Sequence, residues 1–169
     1  MKTLKYLIIL SLVIPFGSCG KIEQQDPVPI VEFTSFSVFD TTDILGNRVK
    51  GGKLKFYFED GDGDLGLQAP ENGVTDSTNL FLTLYRKIDG TMNLAPDNDP
   101  LKPSPYRIPF MDREGINKML KGTISVTFLY LFYTNTDTIQ YDFFIKDRGN
   151  NESNISTTNE IVVSVNGVY

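Results

Sequence analysis

An all-β fold, two antiparallel sheets packed face to face, is what this sequence predicts, and three observations carry the prediction. Leu54, Phe56 and Phe58 alternate with Lys53, Lys55 and Tyr57, and Ile139, Tyr141, Phe143 and Ile145 alternate further on. Alternation of this kind is the mark of a strand with one face buried. Turn signals rich in Gly, Pro, Asn and Asp separate short runs of β-branched and aromatic residues along the whole chain. Twelve Phe and eight Tyr, with no Trp, are the large side chains on which a core must rest. At 169 residues and 40% hydrophobic, the chain suits one domain with its own core.

The elements follow in order. Val31 to Phe39 is β-rich with apolar residues on both parities, as in a strand covered on both sides. Asp40 to Gly52 is a turn region, with Gly46-Asn47 and Gly51-Gly52 as breakers. Lys53 to Phe58 is a half-buried strand. Asn79 to Ile88 sets Leu80, Leu82 and Leu84 against Phe81, Thr83 and Tyr85, the pattern of a central strand. Asp89-Gly90 is a turn, and Ala95 to Pro105 holds four prolines that preclude a regular ladder. Tyr106 to Phe110 reads as a short edge strand. Asp112 to Lys121 reads as a short helix, capped by Asp112, with Ile116, Met119 and Leu120 on one face and Gly122 at its end. Thr123 to Tyr133 and Thr138 to Lys146, joined by Thr134-Asn135-Thr136-Asp137, predict a hairpin. Asp147 to Asn154 is loop, and Thr157 to Val165 is the closing strand.

About seven strands and one short helix over 31–169 favour an immunoglobulin-like or fibronectin type III-like sandwich, with a Greek-key barrel as the alternative. Asp137 followed by Tyr141 resembles the tyrosine corner of such sandwiches; a Tyr simply filling an inward slot is the plainer reading. In this architecture the loop after the second strand and the loop after the penultimate strand meet at one pole. Those loops are Asp60 to Gly66 and Asp147 to Asn154.

Composition removes several functions. A net charge of −5 without a basic run disfavours nucleic acid. The absence of histidine removes Ser-His-Asp and Cys-His nucleophile systems, His-ligated zinc and any His-based pH switch.

The N-terminus gives the address. Lys2 and Lys5 precede an apolar run from Tyr6 to Phe16, too short for an ordinary membrane span, which predicts an export signal over 1–18. Gly17-Ser18-Cys19 resembles the lipobox of bacterial lipoproteins, with Phe16 where Leu is usual. The resemblance implies cleavage before Cys19, the only cysteine, and its lipidation. Residues 19–30, with Pro27 and Pro29, form a polar tether. Lys21, Glu23 and Asp26 resemble the charged signal that sends lipoproteins of Bacteroidota to the outer face of the outer membrane; a periplasm-facing anchor is the alternative.

The chemistry concentrates in Asp60-Gly61-Asp62-Gly63-Asp64-Leu65-Gly66. Carboxylates at every second position with glycines between them suit a hard cation, whose oxygen ligands must converge from a tightly turned backbone. Counting from Asp60, Asp62, Asp64 and Glu71 fall third, fifth and twelfth, as in an EF-hand. Leu65 stands at the obligatory glycine and a strand leads in, so the likeness is to Asp-x-Asp-x-Asp calcium loops on other scaffolds. Asp147, Asn150 and Asn151 bring further oxygens to that pole. The candidate set is Asp60, Asp62, Asp64, Glu71, Asp147 and Asn150, with calcium as the expected ion; a bare acidic turn and another hard cation are the alternatives.

The lipobox, the proline tether, the acidic loop and Tyr141 to Asn150 together resemble a group of uncharacterised lipoproteins of Bacteroidota. The resemblance implies a secreted β-sandwich and no activity. The expected function is a non-enzymatic binding or structural module on the cell envelope, whose calcium-stiffened pole presents its loops to a glycan or protein. The alternatives are an accessory subunit of an uptake or secretion complex, docked through a sheet edge or Phe128 to Phe132, and a hydrolase working through Asp60, Asp62, Asp64 and Asp147.

Overall fold

A computed structural model of the chain describes residues 26–70, 78–112 and 119–169. The signal and lipidation positions, Glu71 and most of the predicted helix lie outside them.

The described residues form two antiparallel sheets and no helix. The strands are β1 (Ile30–Thr42), β2 (Arg48–Asp60), β3 (Leu80–Ile88), β4 (Thr91–Leu94), β5 (Leu120–Tyr130), β6 (Thr138–Ile145), β7 (Ser156–Thr157), β8 (Ile161–Val162) and β9 (Gly167–Val168). One sheet runs β5-β2-β1-β9; the other runs β4-β3-β6, with β7 and β8 both pairing with β6. Inward rings join the layers: Phe56 meets Phe143 at 5.1 Å, Phe128 meets Tyr141 at 5.8 Å and Phe36 meets Tyr141 at 5.9 Å. The all-β sandwich expected from the alternating patterns is therefore present.

Several expectations need correction. Most of the apolar residues of β1 face one way, leaving half-buried Phe39, over Gly51, and exposed Ile30 on the other side. A bulge between Phe33 and Ser35 shifts the register, so Val31 and Phe33 before it and Phe36 and Val38 after it face the same core. Gly51 and Gly52 are not breakers but lie within β2, opposite Leu129 and Phe128. A Cβ on Gly52 would stand 2.7 Å from Phe36 Cζ and 2.8 Å from Tyr130 Cε2, so the bare backbone there makes room for two core rings. Tyr106 to Phe110 makes isolated bridges, Leu80 to Tyr106 and Leu67 to Pro109, rather than a strand. The predicted helix falls mainly on 113–118, outside the described residues, and its expected end, Leu120 to Gly122, is β5 paired with β2. The closing strand expected over Thr157 to Val165 is interrupted into β7 and β8; with β4 and β9, neither of them expected, and without a strand over Tyr106 to Phe110, the described residues hold nine strands.

The predicted hairpin of β5 and β6 does not form. β5 pairs with β2 from Lys50↔Tyr130 to Asp60↔Leu120, and β6 pairs with β3. The turn itself is present, since Asp137 Oδ2 accepts from the Thr134 amide at 2.7 Å. It joins two sheets, which sets Tyr130 and Tyr141 facing one another across the core, their hydroxyls 3.1 Å apart. Side by side in one sheet they would point the same way. The Tyr141 hydroxyl donates to the Leu101 carbonyl at 2.8 Å, so its upstream backbone partner lies in the proline-rich loop.

The pairings fix two poles. Ile30↔Glu59 and Asp60↔Leu120 place the start of β1, the end of β2 and the start of β5 together. Thr42↔Arg48 and Lys50↔Tyr130 place 43–47 and 131–137 at the opposite end. The segment arriving from the N-terminus thus joins the domain at the acidic pole.

Candidate metal centre

The site grows out of strand parity. Leu54, Phe56 and Phe58 are the buried series of β2, and the next residue in that series is Asp60, which is 0% exposed. In the other sheet Ile139, Tyr141, Phe143 and Ile145 are the buried series of β6, and the next residue is Asp147, 4% exposed. Each sheet therefore carries a carboxylate out along its inward face, to the same end of the core.

The chain between them is held by backbone and glycine. The Leu65 amide donates to Asp60 Oδ2 at 2.7 Å, and the Leu65 side chain is fully buried. That plug pulls the loop back over the core edge. Gly66 takes φ of 97°, and a Cβ there would meet the Pro109 carbonyl oxygen at 2.5 Å. The close approach is used by a pair of backbone bonds, Leu67 amide to Ile108 carbonyl and Phe110 amide to Leu67 carbonyl, each 2.9 Å. On the other side Asp147 accepts from the Asn151 amide at Oδ1 and from Asn151 Nδ2 at Oδ2, both at 2.8 Å.

Asp60, Asp62, Asp64 and Asp147 each offer one carboxylate oxygen, and these oxygens lie within 4.8 Å of one another. Ligands on opposite sides of a calcium ion, at about 2.4 Å each, stand about 4.8 Å apart. Asp60 Oδ1 and Asp64 Oδ1 are buried and receive no hydrogen bond from any donor. A buried carboxylate oxygen without a donor is costly, and a cation is the partner that would satisfy it. Burial, then the charges of Asp62 and Asp64, push the Asp60 carboxyl up to about 6, against the pull of the Leu65 amide. Burial also raises Asp64, followed by the charges of Asp147 and Asp62, while Arg148 and the Gly149 amide oppose the shift. Arg148 itself lies over the Phe110 ring, 4.8 Å from its centroid.

Four of the sequence-predicted ligands are thus brought together. Glu71 lies outside the described residues. Asn150 is exposed with φ of 68°, its amide 3.4 Å from the Asp147 carbonyl. Asn151, expected to bring an oxygen to this pole, instead donates and braces Asp147, and the Leu65 amide was not anticipated, because a backbone donor leaves no mark in side-chain identity. Chemically the cluster is a preformed, oxygen-only, anionic cradle that joins one sheet to the other. No protein-family model, curated protein or solved structure matches this chain.

Proposed function

We propose that this chain is a lipid-anchored protein of the bacterial cell envelope, a non-catalytic binding or structural module in which calcium staples the two sheets of a sandwich. The observation that carries the reading is Asp60: fully buried, its Oδ1 without a donor, and within ligand range of three further carboxylates. Such a group suits a desolvated ion and is poorly placed to meet an external substrate. Calcium is favoured over magnesium because a cluster of side-chain oxygens replaces hydration, which magnesium surrenders reluctantly.

An immunoglobulin-like family for the fold is supported by strand order. β1-β2-β5 in one sheet and β4-β3-β6-β8 in the other follow the A-B-E and C′-C-F-G arrangement of those sandwiches. Gly17-Ser18-Cys19 and the charges at Lys21, Glu23 and Asp26 support a lipid anchor and the outer face of the outer membrane. With the tether joining at the metal pole, the opposite pole is the one free to meet a glycan or protein. That pole favours one variant of the reading, an accessory subunit docked to an envelope protein, since Phe132 is 72% exposed and Ile44 99% exposed there.

Two measurements test the reading. Palmitate labelling of the expressed full-length protein is expected, and should vanish in Cys19→Ala; unlabelled wild type removes the anchor. Elemental analysis after dialysis against calcium should return about one ion per chain, and a calcium content no higher than in Asp60→Asn removes the staple.

A further inference from the structure

The acidic pole is also where the N-terminal segment is held, and the same loop does both. The Val31 amide donates to Asn154 Oδ1 and Asn154 Nδ2 donates to the Val31 carbonyl, both at 2.9 Å. The Phe33 amide donates to Ser156 Oγ at 3.0 Å, and Asn151 Nδ2 reaches the Pro27 carbonyl at 3.5 Å. Backbone of the C-terminal segment covers the outer edge of β1 only from Phe36 to Val38, through Tyr169 and β9. Over its first residues β1 is therefore closed by side chains of 151–156, standing where a neighbouring strand would supply backbone. Asn151 connects the two functions, since it braces both oxygens of Asp147 while its Nδ2 also reaches the tether.

We propose that occupancy of the Asp60, Asp62, Asp64 and Asp147 site by calcium governs the docking of residues 26–33, making the segment next to the membrane anchor accessible when calcium is withdrawn. The proposal rests on the calcium reading above. Without the ion, the three carboxylates at the end of β2 and in its loop confront Asp147 of the other sheet, and the repulsion is relieved most simply by moving the Asp147 loop away from Asp60 and Asp64. That movement carries Asn151, Asn154 and Ser156 with it, and Pro27, Val31 and Phe33 lose their partners. The consequence is a calcium-dependent opening at the point where cleavage would free the domain from its lipid.

Amide hydrogen exchange on the intact protein, with millimolar calcium and with chelator, tests this. The account expects exchange over 26–36 to slow by roughly tenfold or more with calcium, alongside 60–67 and 147–156. In Asn154→Ala, exchange over 26–36 should stay fast under both conditions while 60–67 still responds. Slowing confined to 60–67 and 147–151 in the wild type overturns the coupling and leaves the calcium reading standing. Protection of 26–36 that persists in Asn154→Ala overturns the route through that residue. No response anywhere overturns both.

Discussion

Asp60 and Asp147 are the outermost members of the buried faces of β2 and β6, strands of different sheets, and one carboxylate oxygen of each lies within 4.8 Å of the other. An ion between them would close the sandwich at that end as a disulfide closes many small domains, which a chain with one cysteine cannot do internally.

Neutralising either residue should therefore have opposite effects with and without the ion. In chelator, Asp60→Asn removes a buried charge from a repelling group while its amide oxygen can still accept from the Leu65 amide, so its midpoint should equal or exceed that of the wild type; Asp147→Asn brings the same relief but turns an NH2 toward an Asn151 donor, so its gain should be smaller. In calcium they lose a ligand, and most of the calcium-dependent rise should disappear. Thermal unfolding under both conditions checks the pair; a variant destabilised equally in chelator and calcium would show that its carboxylate serves the fold and not an ion.

The pH dependence without calcium carries its own sign. The folded state raises the Asp60 carboxyl to about 6 and raises Asp64, so it holds those protons more tightly than the unfolded chain does. Stability from these groups is present below about 3.9, the unfolded value, and is lost as pH rises through about 6. In chelator the midpoint should climb as pH falls from 7 to 5. Below about 4 it should fall again. There Asp99, whose burial would raise it but whose bonds from Arg86 hold it below its ordinary value, takes up a proton and loses that pairing. Calorimetry across this range in chelator reads the turnover.

Gly52 is a packing position. Gly52→Ala should cost about 1–3 kcal/mol, because its Cβ would press on Phe36 and Tyr130 in the filled core. Gly90→Ala should cost less: its φ of 82° strains an L-residue, yet a Cβ there meets nothing within 4 Å. Chemical denaturation of the two variants should rank them in that order.

The buried hydroxyl chain is also asymmetric. Tyr141 donates to the Leu101 carbonyl, leaving its oxygen to accept from Tyr130. Tyr141→Phe strips a partner from both neighbours and should cost about 1–3 kcal/mol. Tyr130→Phe removes one bond and leaves the Leu101 contact intact, so it should cost less. Equal losses in denaturant titrations would contradict this ordering.

How much could be read in advance follows from what each feature depends on. The alternations in β2, β3 and β6 are local, and they gave the sheets and most of the inward faces. Asp60, Asp62, Asp64 and Asp147 were legible because Asp-Gly spacing is written in the chain and because the sandwich brings those loops together. Pairing partners were not legible: β5 and β6 are neighbours in sequence with a sound turn, yet they pair with β2 and β3 in different sheets, and alternation does not say which strand lies beside which. Nor was the parity change at Phe33 and Ser35, since a bulge leaves no mark in a run where every residue is compatible with strand. Gly51 and Gly52 misled because glycine signals a turn and a ring-accommodating strand position alike.

Thermal unfolding of the intact protein in millimolar calcium and in chelator tests the staple most directly. At a hundredfold excess over the dissociation constant, native-state binding contributes about 2.7 kcal/mol, a rise in midpoint on the order of 8 °C for a domain of this size. That rise should appear in the wild type and be lost in Asp60→Asn. Identical midpoints with and without calcium would contradict it, and the four aspartates would then be an acidic turn closed by nothing but its own backbone.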